Sequence, residues 1–193
     1  MKKLPVGIQT FSEIISDDYC YVDKTPLIYR LLTEGKYYFL SRPRRFGKSL
    51  LLDTIAEVFN GNQELFASLY LHNQWNWAEK YPVIRIDFSE GNIAGRHRFE
   101  QRILRILNIQ AEQHAVSLSC DYPDDCFEEL ILTLHKKYNA KVVVLIDEYD
   151  RPILDNIPHK NIAAELPEVL KKFLFRDQVA GCSSSIRHAD RGE

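Results

Sequence analysis

Residues 37–59, which read YYFLSRPRRFGKSLLLDTIAEVF, decide how this chain is interpreted. An apolar start enters a basic loop, and the loop leads through Gly47, Lys48 and Ser49 into a helical pattern. This order is the setting of the phosphate-binding motif G-x-x-x-x-G-K-[ST], which lies between a strand and a helix. Counting back from Gly47, Arg42 stands where that motif has its first glycine. The stretch therefore predicts a phosphate-binding loop of variant form.

The chemistry of such a loop explains its residue types. The start of a helix presents N–H groups without partners and a partial positive charge to phosphate oxygens. Gly47 allows close approach of the backbone because it has no side chain. Lys48 is expected to reach the β- and γ-phosphates, and the hydroxyl of Ser49 is expected to bind Mg²⁺. The predicted ligand is a nucleotide with its magnesium ion.

A second motif lies much further along the chain. Residues 141–147, KVVVLID, form a β-branched run that is typical of a parallel strand buried on both faces. The run ends in Asp147 and Glu148, at the kind of strand end where sites of open α/β sheets lie. Asp147 is expected in the Mg²⁺ shell, and Glu148 is expected to orient or deprotonate an attacking water. Arg151 is predicted either to act on the nucleotide of a neighbouring subunit or to form a surface salt bridge.

The rest of the chain alternates strands and helices, which predicts an α/β fold with a mostly parallel sheet and flanking helices. Strand patterns occupy residues 36–41, 83–88 and 141–147. Helical patterns occupy residues 26–34, 48–59, 96–118, 124–138 and 165–175. Trp75 and Trp77 are expected to be packing anchors under a loop. The acidic run at 121–129 is expected to begin a helix, where carboxylates suit the dipole.

The overall composition narrows the class of protein. The 193 residues carry a net charge of −2, which gives no general attraction to nucleic acid or to an anionic membrane. The chain shows no apolar core of a signal sequence and no apolar run near ~18 residues. The four cysteines form no C-x-x-C pair, and the six histidines show no metal-ligand spacing. We therefore predict a cytoplasmic protein with reduced thiols and no membrane partner.

Four motifs, in the order YVDKT, SRPRRFGKS, YPVIRIDFS and LIDEYDRPI, resemble the AAA-ATPase-like family of bacterial P-loop proteins. The resemblance runs from about Leu4 to about Phe173. It implies a P-loop ATPase-like domain that binds ATP and, in the full-length member, hydrolyses it with Mg²⁺. It also implies a nuclease-like C-terminal domain of the PD-(D/E)xK type, which these 193 residues do not contain. Because the family loop reads R-P-R-R-F-G-K-S, Arg42 belongs to the family pattern.

The resemblance assigns roles to individual residues. By this resemblance, the residues implied to bind the nucleotide are Arg42, Arg44, Arg45, Phe46, Gly47, Lys48 and Ser49. Ser49 and Asp147 are the implied metal ligands, and Glu148 is the implied catalytic residue. Asp23 and Lys24 of YVDKT either line the nucleotide cleft or cap and orient the first helix. Asp87 either supports the Mg²⁺ ligands or makes a strand-end hydrogen bond to the backbone.

Three functions therefore stay open at the level of sequence. The first is an ATPase, and the second is a nucleotide-dependent interaction module that does not hydrolyse its ligand, including an inactive fragment. The third uses Arg42, Arg44 and Arg45 to contact nucleic acid instead of phosphates of a nucleotide. Self-association is compatible with all three.

Residues 176–193 depart from the family pattern, so residues 1–175 are predicted as the ATPase-like domain and the remainder as a disordered or out-of-family tail. Family members continue here into a strand that lies between the phosphate-loop strand and the acidic strand. Its absence predicts a gap in the middle of the sheet, with an incomplete C-terminus. A truncated or frameshifted gene would explain the departure, and translating the downstream DNA in three frames tests this.

Overall fold

A computed structural model describes residues 2–41, 46–89, 95–157 and 160–175, with the backbone alone for 160–164, 174 and 175. The described chain divides into two compact units, one that ends at Val83 and one that begins at Ile84. The predicted nucleotide contacts Arg42, Arg44 and Arg45 and the predicted tail, residues 176–193, lie outside the described residues. No described helix is both long enough and apolar enough to cross a membrane.

The first unit is built from helices. Helix α1 spans Phe11–Ser16, α2 spans Thr25–Glu34 and α3 spans Lys48–Phe59, and two 3-10 turns follow at Gln63–Phe66 and Tyr70–Asn73. Phe11, Phe59 and Phe66 are buried at its centre. The rings of Phe59 and Trp75 lie 5.7 Å apart, and those of Phe66 and Trp77 lie 5.0 Å apart. These contacts confirm the prediction that both tryptophans are packing anchors.

Residues 36–41 differ from their prediction as a buried strand. In the structure they have no regular secondary structure, and Tyr37 and Phe39 are 64% and 70% exposed. The apolar pattern alone suggested burial, but a strand also needs a neighbour for its backbone N–H and C=O groups. The described residues of this unit supply no strand to pair with it.

The second unit contains a two-stranded parallel sheet with helices packed on it. Strand β1 spans Val83–Asp87 and β2 spans Val143–Asp147; α4 spans Arg96–Gln113, α5 Pro123–Tyr138, α6 Arg151–Leu154 and α7 Lys160–Phe175. The core joins the inward side chains of β1 to α4, α5 and α7, and it includes Ile84, Ile86, Phe99, Ile103, Phe127, Leu130 and Phe173. The described fold is therefore mixed α/β with a small parallel sheet, as the alternation of patterns predicted.

Strand β2 is less buried than its β-branched run predicted. Val143 is buried, but the residues from Val144 to Asp147 are only partly covered. The physical reason is that the described sheet has a single neighbour for β2, which is β1. A strand with one neighbour leaves its other edge, and part of both faces, open to solvent.

The cysteines correct the prediction of reduced thiols. Cys120 and Cys126 form a disulfide with their Cα atoms 5.3 Å apart, whereas Cys20 is a free, exposed thiol. The bond ties the segment between α4 and α5 to the first turns of α5. Ser119 fastens the same segment, because its N–H and hydroxyl both donate to Glu129, at 3.1 and 2.8 Å. The two cysteines are six residues apart and form no C-x-x-C motif. The path of the connecting segment brings them together, and the sequence does not show that path.

Candidate functional site

The predicted phosphate loop ends in a helix start that suits an anion. Gly47 precedes α3 in the left-handed region, with φ +72, and no side chain caps the helix. Left-handed backbone favours glycine, so Gly47 has a conformational role at this position as well as a steric one. The first hydrogen bond of the helix runs from the Leu51 N–H to the Gly47 carbonyl at 3.0 Å. The N–H groups of the first turn are therefore without a capping side chain, as an anion site requires.

Lys48 and Ser49 have their side chains available at this helix start. Both are half-buried, and neither makes a hydrogen bond or ion pair with any described residue. Phe46, which the resemblance included among the nucleotide contacts, is 61% exposed. Of the seven predicted nucleotide contacts, the described structure thus places Phe46, Gly47, Lys48 and Ser49 together at the N-terminus of α3.

The predicted acidic pair forms a tight turn at the end of β2. The Glu148 N–H donates to Oδ1 of Asp147 at 2.9 Å, and the Glu148 carbonyl accepts from the Arg151 N–H at 3.0 Å. Glu148 has φ +51, in the left-handed backbone region that residues other than glycine and asparagine rarely adopt. Such strain is concentrated at functional sites, where surrounding structure holds it in place. Oδ2 of Asp147 makes no hydrogen bond with the described residues.

The structure favours a surface role for Arg151 within the described chain. It begins α6, and its Nε lies 3.4 Å from Oδ2 of Asp155, one turn further along the helix. Both side chains are substantially exposed, so the pair contributes little to stability. Of the two roles predicted for Arg151, the salt bridge is the one seen.

Asp23 ties the start of α2 to a neighbouring turn. Its Oδ1 accepts from the Thr25 N–H at 2.8 Å, and its Oδ2 accepts from the Tyr70 N–H at 2.9 Å. The hydroxyl of the buried Thr25 adds a bond by accepting from the Leu71 N–H at 3.1 Å. Of the two alternatives for Asp23, capping and orienting the helix is therefore the one that the structure supports. The sequence predicts Thr25 as the N-cap of this helix, whereas in the structure Lys24 is the N-cap and Thr25 is the first helical residue.

The pKa of the Asp23 carboxyl is lowered by these bonds. Partial burial alone would raise it, but the N–H of Tyr70 and the donors of Thr25 outweigh that effect. Because the pKa is lowered in the folded state, the carboxylate stabilises the fold at pH values above the ordinary pKa of an aspartate. This stabilisation is lost as the pH falls from the ordinary value of 3.8 through the lower value of the folded state.

Replacing Asp23 with Ala is expected to lower the free energy of unfolding by about 1–2 kcal/mol, because two backbone N–H groups lose their acceptor. Urea unfolding followed by circular dichroism measures the change at neutral pH. Asp17→Ala is the matched control, since the Asp17 side chain is exposed and makes no hydrogen bond or ion pair with the described residues. The difference between the two variants should shrink below the ordinary pKa of aspartate, and a difference that stays constant there would contradict the assignment.

Asp87 makes the predicted strand-end bond. At the end of β1 its Oδ1 accepts from the Ser89 N–H at 2.7 Å and its Oδ2 accepts from the Ser89 hydroxyl at 2.8 Å. Both oxygens are thus engaged in closing the turn after the strand. Lys24, the other residue whose role was open, is exposed, and its side chain makes no hydrogen bond or ion pair with the described residues.

Comparisons with known proteins agree with the motifs. The family described as Predicted AAA-ATPase (AAA-ATPase-like) matches residues 5–187. A protein from Azotobacter chroococcum mcd 1, described as an uncharacterized protein in the vnfD 5′ region, is 47% identical over 173 residues. That match covers 88% of this chain but 33% of the relative, so the chain spans about a third of the relative's length. No solved structure matches the chain significantly. The match over nearly its whole length shows that this chain belongs to the AAA-ATPase-like family.

Proposed function

We propose that this chain binds ATP through residues 42–49 and that the full-length protein hydrolyses it with Mg²⁺. The observation that carries the proposal is the start of α3. A left-handed Gly47 precedes an uncapped helix whose first two side chains, Lys48 and Ser49, have no partner among the described residues. An uncapped helix start with a free lysine and hydroxyl is chemically complementary to a chain of phosphates. Membership of the AAA-ATPase-like family supports the same activity class.

The proposal assigns Mg²⁺ to oxygen donors that suit it. The Ser49 hydroxyl and Oδ2 of Asp147 are the assigned ligands, and neither is engaged by a described residue. Mg²⁺ prefers a few protein oxygens together with substrate phosphates over a cage of protein ligands. The described residues contain no group of three or more His, Cys, Asp or Glu that could hold a metal. When bound, the ion would neutralise charge on the phosphates.

Glu148 is the proposed general base. It follows the proposed metal ligand Asp147 directly in the chain, and its N–H donates to Oδ1 of that aspartate in a turn where Glu148 has φ +51. A carboxylate in this position can orient a water molecule and accept its proton. Arg42, Arg44 and Arg45 are proposed to add positive charge near the phosphates, as the family pattern implies. Coupling to a nuclease-like domain and a cytoplasmic location also remain proposals.

One observation favours the second function, nucleotide binding without turnover. The acidic end of β2 is only partly covered in the described residues, since β2 has one neighbouring strand. Fixed dipoles stabilise a transition state best where water is excluded. A water-exposed acidic pair is therefore compatible with tight binding of ATP and slow hydrolysis. We expect this chain to bind ATP more readily than it hydrolyses it.

Binding of a fluorescent ATP analogue, with and without Mg²⁺, tests the loop. Replacing Lys48 with Ala is expected to weaken binding about 10- to 100-fold, because a hydrogen bond to a charged group is lost. Lys36→Ala is the matched control, as Lys36 lies in the same basic stretch and precedes the predicted loop. It should bind the analogue like the wild type.

Equal affinity of wild type and Lys48→Ala would refute the phosphate loop. Nucleic-acid contact predicts a different pattern, in which binding to DNA weakens steeply with salt and survives the Lys48→Ala change. Circular dichroism of each variant shows whether α3 is intact, so that a folding defect is not mistaken for lost binding.

A further inference from the structure

The disulfide between Cys120 and Cys126 lies where the connecting segment meets the start of α5. Cys126 belongs to the helix and is buried in the core of the second unit, with 1% of its surface exposed. Cys120 is only partly buried, and it lines an open groove of about 770 Å³ that runs along α4 beside Leu104 and Arg105. Of the two cysteines, Cys120 is therefore the one that a reagent in solvent can reach.

Other bonds keep the two cysteines close to each other. The Ser119 N–H and hydroxyl both donate to Glu129 on α5. The Cys126 N–H donates to the Tyr122 carbonyl at 2.9 Å, as part of the helix start. Such hydrogen bonds contribute modestly where solvent reaches them, so they hold the segment near α5 without fixing it as a covalent bond does. The disulfide can therefore open without separating the cysteines, and it can form again in the folded chain.

The start of α5 also holds α7. Oδ2 of Asp124 lies 3.0 Å from Nζ of Lys172, and the rings of Phe127 and Phe173 lie 4.7 Å apart. Both α5 residues flank Cys126 in the chain, so the disulfide constrains the helical turn that makes these contacts. Phe127 and Phe173 are buried, which makes the contact between them part of the core.

We propose that the Cys120–Cys126 pair is a redox-sensitive latch, which a dithiol opens and a disulfide oxidant closes, and which controls how firmly α7 is held. Two observations carry this proposal: one accessible sulfur beside a groove, and a buried partner in the turn that contacts α7. Accessible disulfides are the ones that exchange readily with thiols in solution. The latch is independent of whether the loop binds ATP.

The opening reaction proceeds by thiol–disulfide exchange. A thiolate of the dithiol attacks Sγ of Cys120 and forms a mixed disulfide there, and Cys126 leaves as a thiolate that takes up a proton. The second thiol of the reductant then attacks its own sulfur in the mixed disulfide and releases Cys120 as a thiol. Two electrons and two protons pass to the protein, and the dithiol becomes a disulfide. Closing is the reverse, with glutathione disulfide taking up the two electrons and leaving as two thiols.

Dithiothreitol, followed by alkylation and peptide mass mapping, tests the opening. Without reductant, the alkylating reagent should label the exposed Cys20 and leave Cys120 and Cys126 unlabelled. After reduction under native conditions both should be labelled, while circular dichroism shows an unchanged helix content. Glutathione disulfide should restore the first pattern.

Hydrogen exchange tests the hold on α7. Reduction should speed exchange at Cys126 and Phe127 of α5 and at Leu170 and Phe173 of α7 by about 10-fold, because a short covalent loop is lost. Helix α3 lies in the other unit and should change by less than about twofold. The acceleration in α7 should not depend on urea below the unfolding transition, since local opening exposes little surface.

A pair of cysteine variants ties the response to the latch. Cys120→Ser should show the fast exchange of the reduced protein with and without dithiothreitol. Cys20→Ser is the matched control, since Cys20 is a free thiol in the first unit, and it should respond to the reductant like the wild type. The comparison of the wild type with and without reductant stands even where a variant fails to fold.

Four results would overturn the proposal. Labelling of Cys120 and Cys126 without reductant would show that the bond does not form, and loss of helix content on reduction would show a structural bond instead of a latch. Unchanged exchange of α7 on reduction would remove its hold on that helix. A steep rise of the α7 effect with urea would assign it to unfolding of the whole unit.

Discussion

Replacing Glu148 with Gln is expected to lower ATP turnover about 10²- to 10⁴-fold, the range contributed by a positioned general base. Glutamine has nearly the same size as glutamate but cannot accept a proton, so the shape of the turn is kept. Binding of ATP should stay within about twofold, because the phosphate contacts assigned to the loop are unchanged. The measurement is phosphate release at saturating ATP and Mg²⁺, beside binding of the fluorescent analogue.

Two further variants separate chemistry from backbone strain. Glu168→Gln is the control for loss of one carboxylate, as Glu168 lies exposed on α7, and its turnover should equal that of the wild type. Glu148→Gly removes the carboxylate but relieves the positive φ, so the free energy of unfolding should rise by up to about 1 kcal/mol while turnover is lost. Full turnover in Glu148→Gln would exclude Glu148 as the base. ATP binding with no turnover in the wild type would support the interaction module.

Helices whose ends are marked by capping or turn residues could be predicted closely from the sequence. The predicted helix 48–59 has the bounds of α3, since Gly47 starts it and the turn after Phe59 stops it. Helix α5 begins with Pro123 in its first turn and ends before Asn139 in the left-handed conformation. Capping and turn residues act over a few positions, so their effect is visible in a short stretch of sequence.

Features that depend on distant partners were predicted poorly. The segment 37–40 has a strand-like composition, but pairing requires another strand, and composition does not show whether one is present. The disulfide between Cys120 and Cys126 likewise depends on how the chain runs between α4 and α5. The partial exposure of β2 has the same origin as the error at 37–40, because burial of a strand depends on neighbours at both edges.

The candidate site was predictable in its residue types and less so in its geometry. The G-K-S triplet was identified because it opens a predicted helix, and the Asp-Glu pair because it ends a predicted strand. The structure decided between the alternatives for Asp23 and Asp87, since both carboxylates accept backbone N–H groups. The positive φ of Glu148 had no signal in the sequence, because glutamate is not a residue that favours this conformation.

Replacing Phe99 with Ala is expected to lower the free energy of unfolding by about 3–5 kcal/mol, the range for large aromatic side chains in a core. Phe99 on α4 is fully buried, and its ring lies 5.5 Å from that of Phe88, which follows β1. Truncation removes this contact and leaves a cavity that the rigid surroundings fill only in part. Ile109→Ala is the control on the same helix, since Ile109 is 41% exposed, and it should cost less than about 1 kcal/mol.

Phe99→Ala should also affect the acidic pair, Asp147 and Glu148. The Phe88 N–H donates to the Asp147 carbonyl at 3.3 Å, so Phe99 packs against the residue that fastens the end of β2. We therefore expect the Asp147 and Glu148 amides to exchange faster in Phe99→Ala, by more than the global loss of stability alone requires, while Ile109→Ala leaves them unchanged. Equal costs for the two variants in urea unfolding would contradict the core position of Phe99. Unchanged exchange at Asp147 and Glu148 would show that the turn keeps its strained backbone without support from α4.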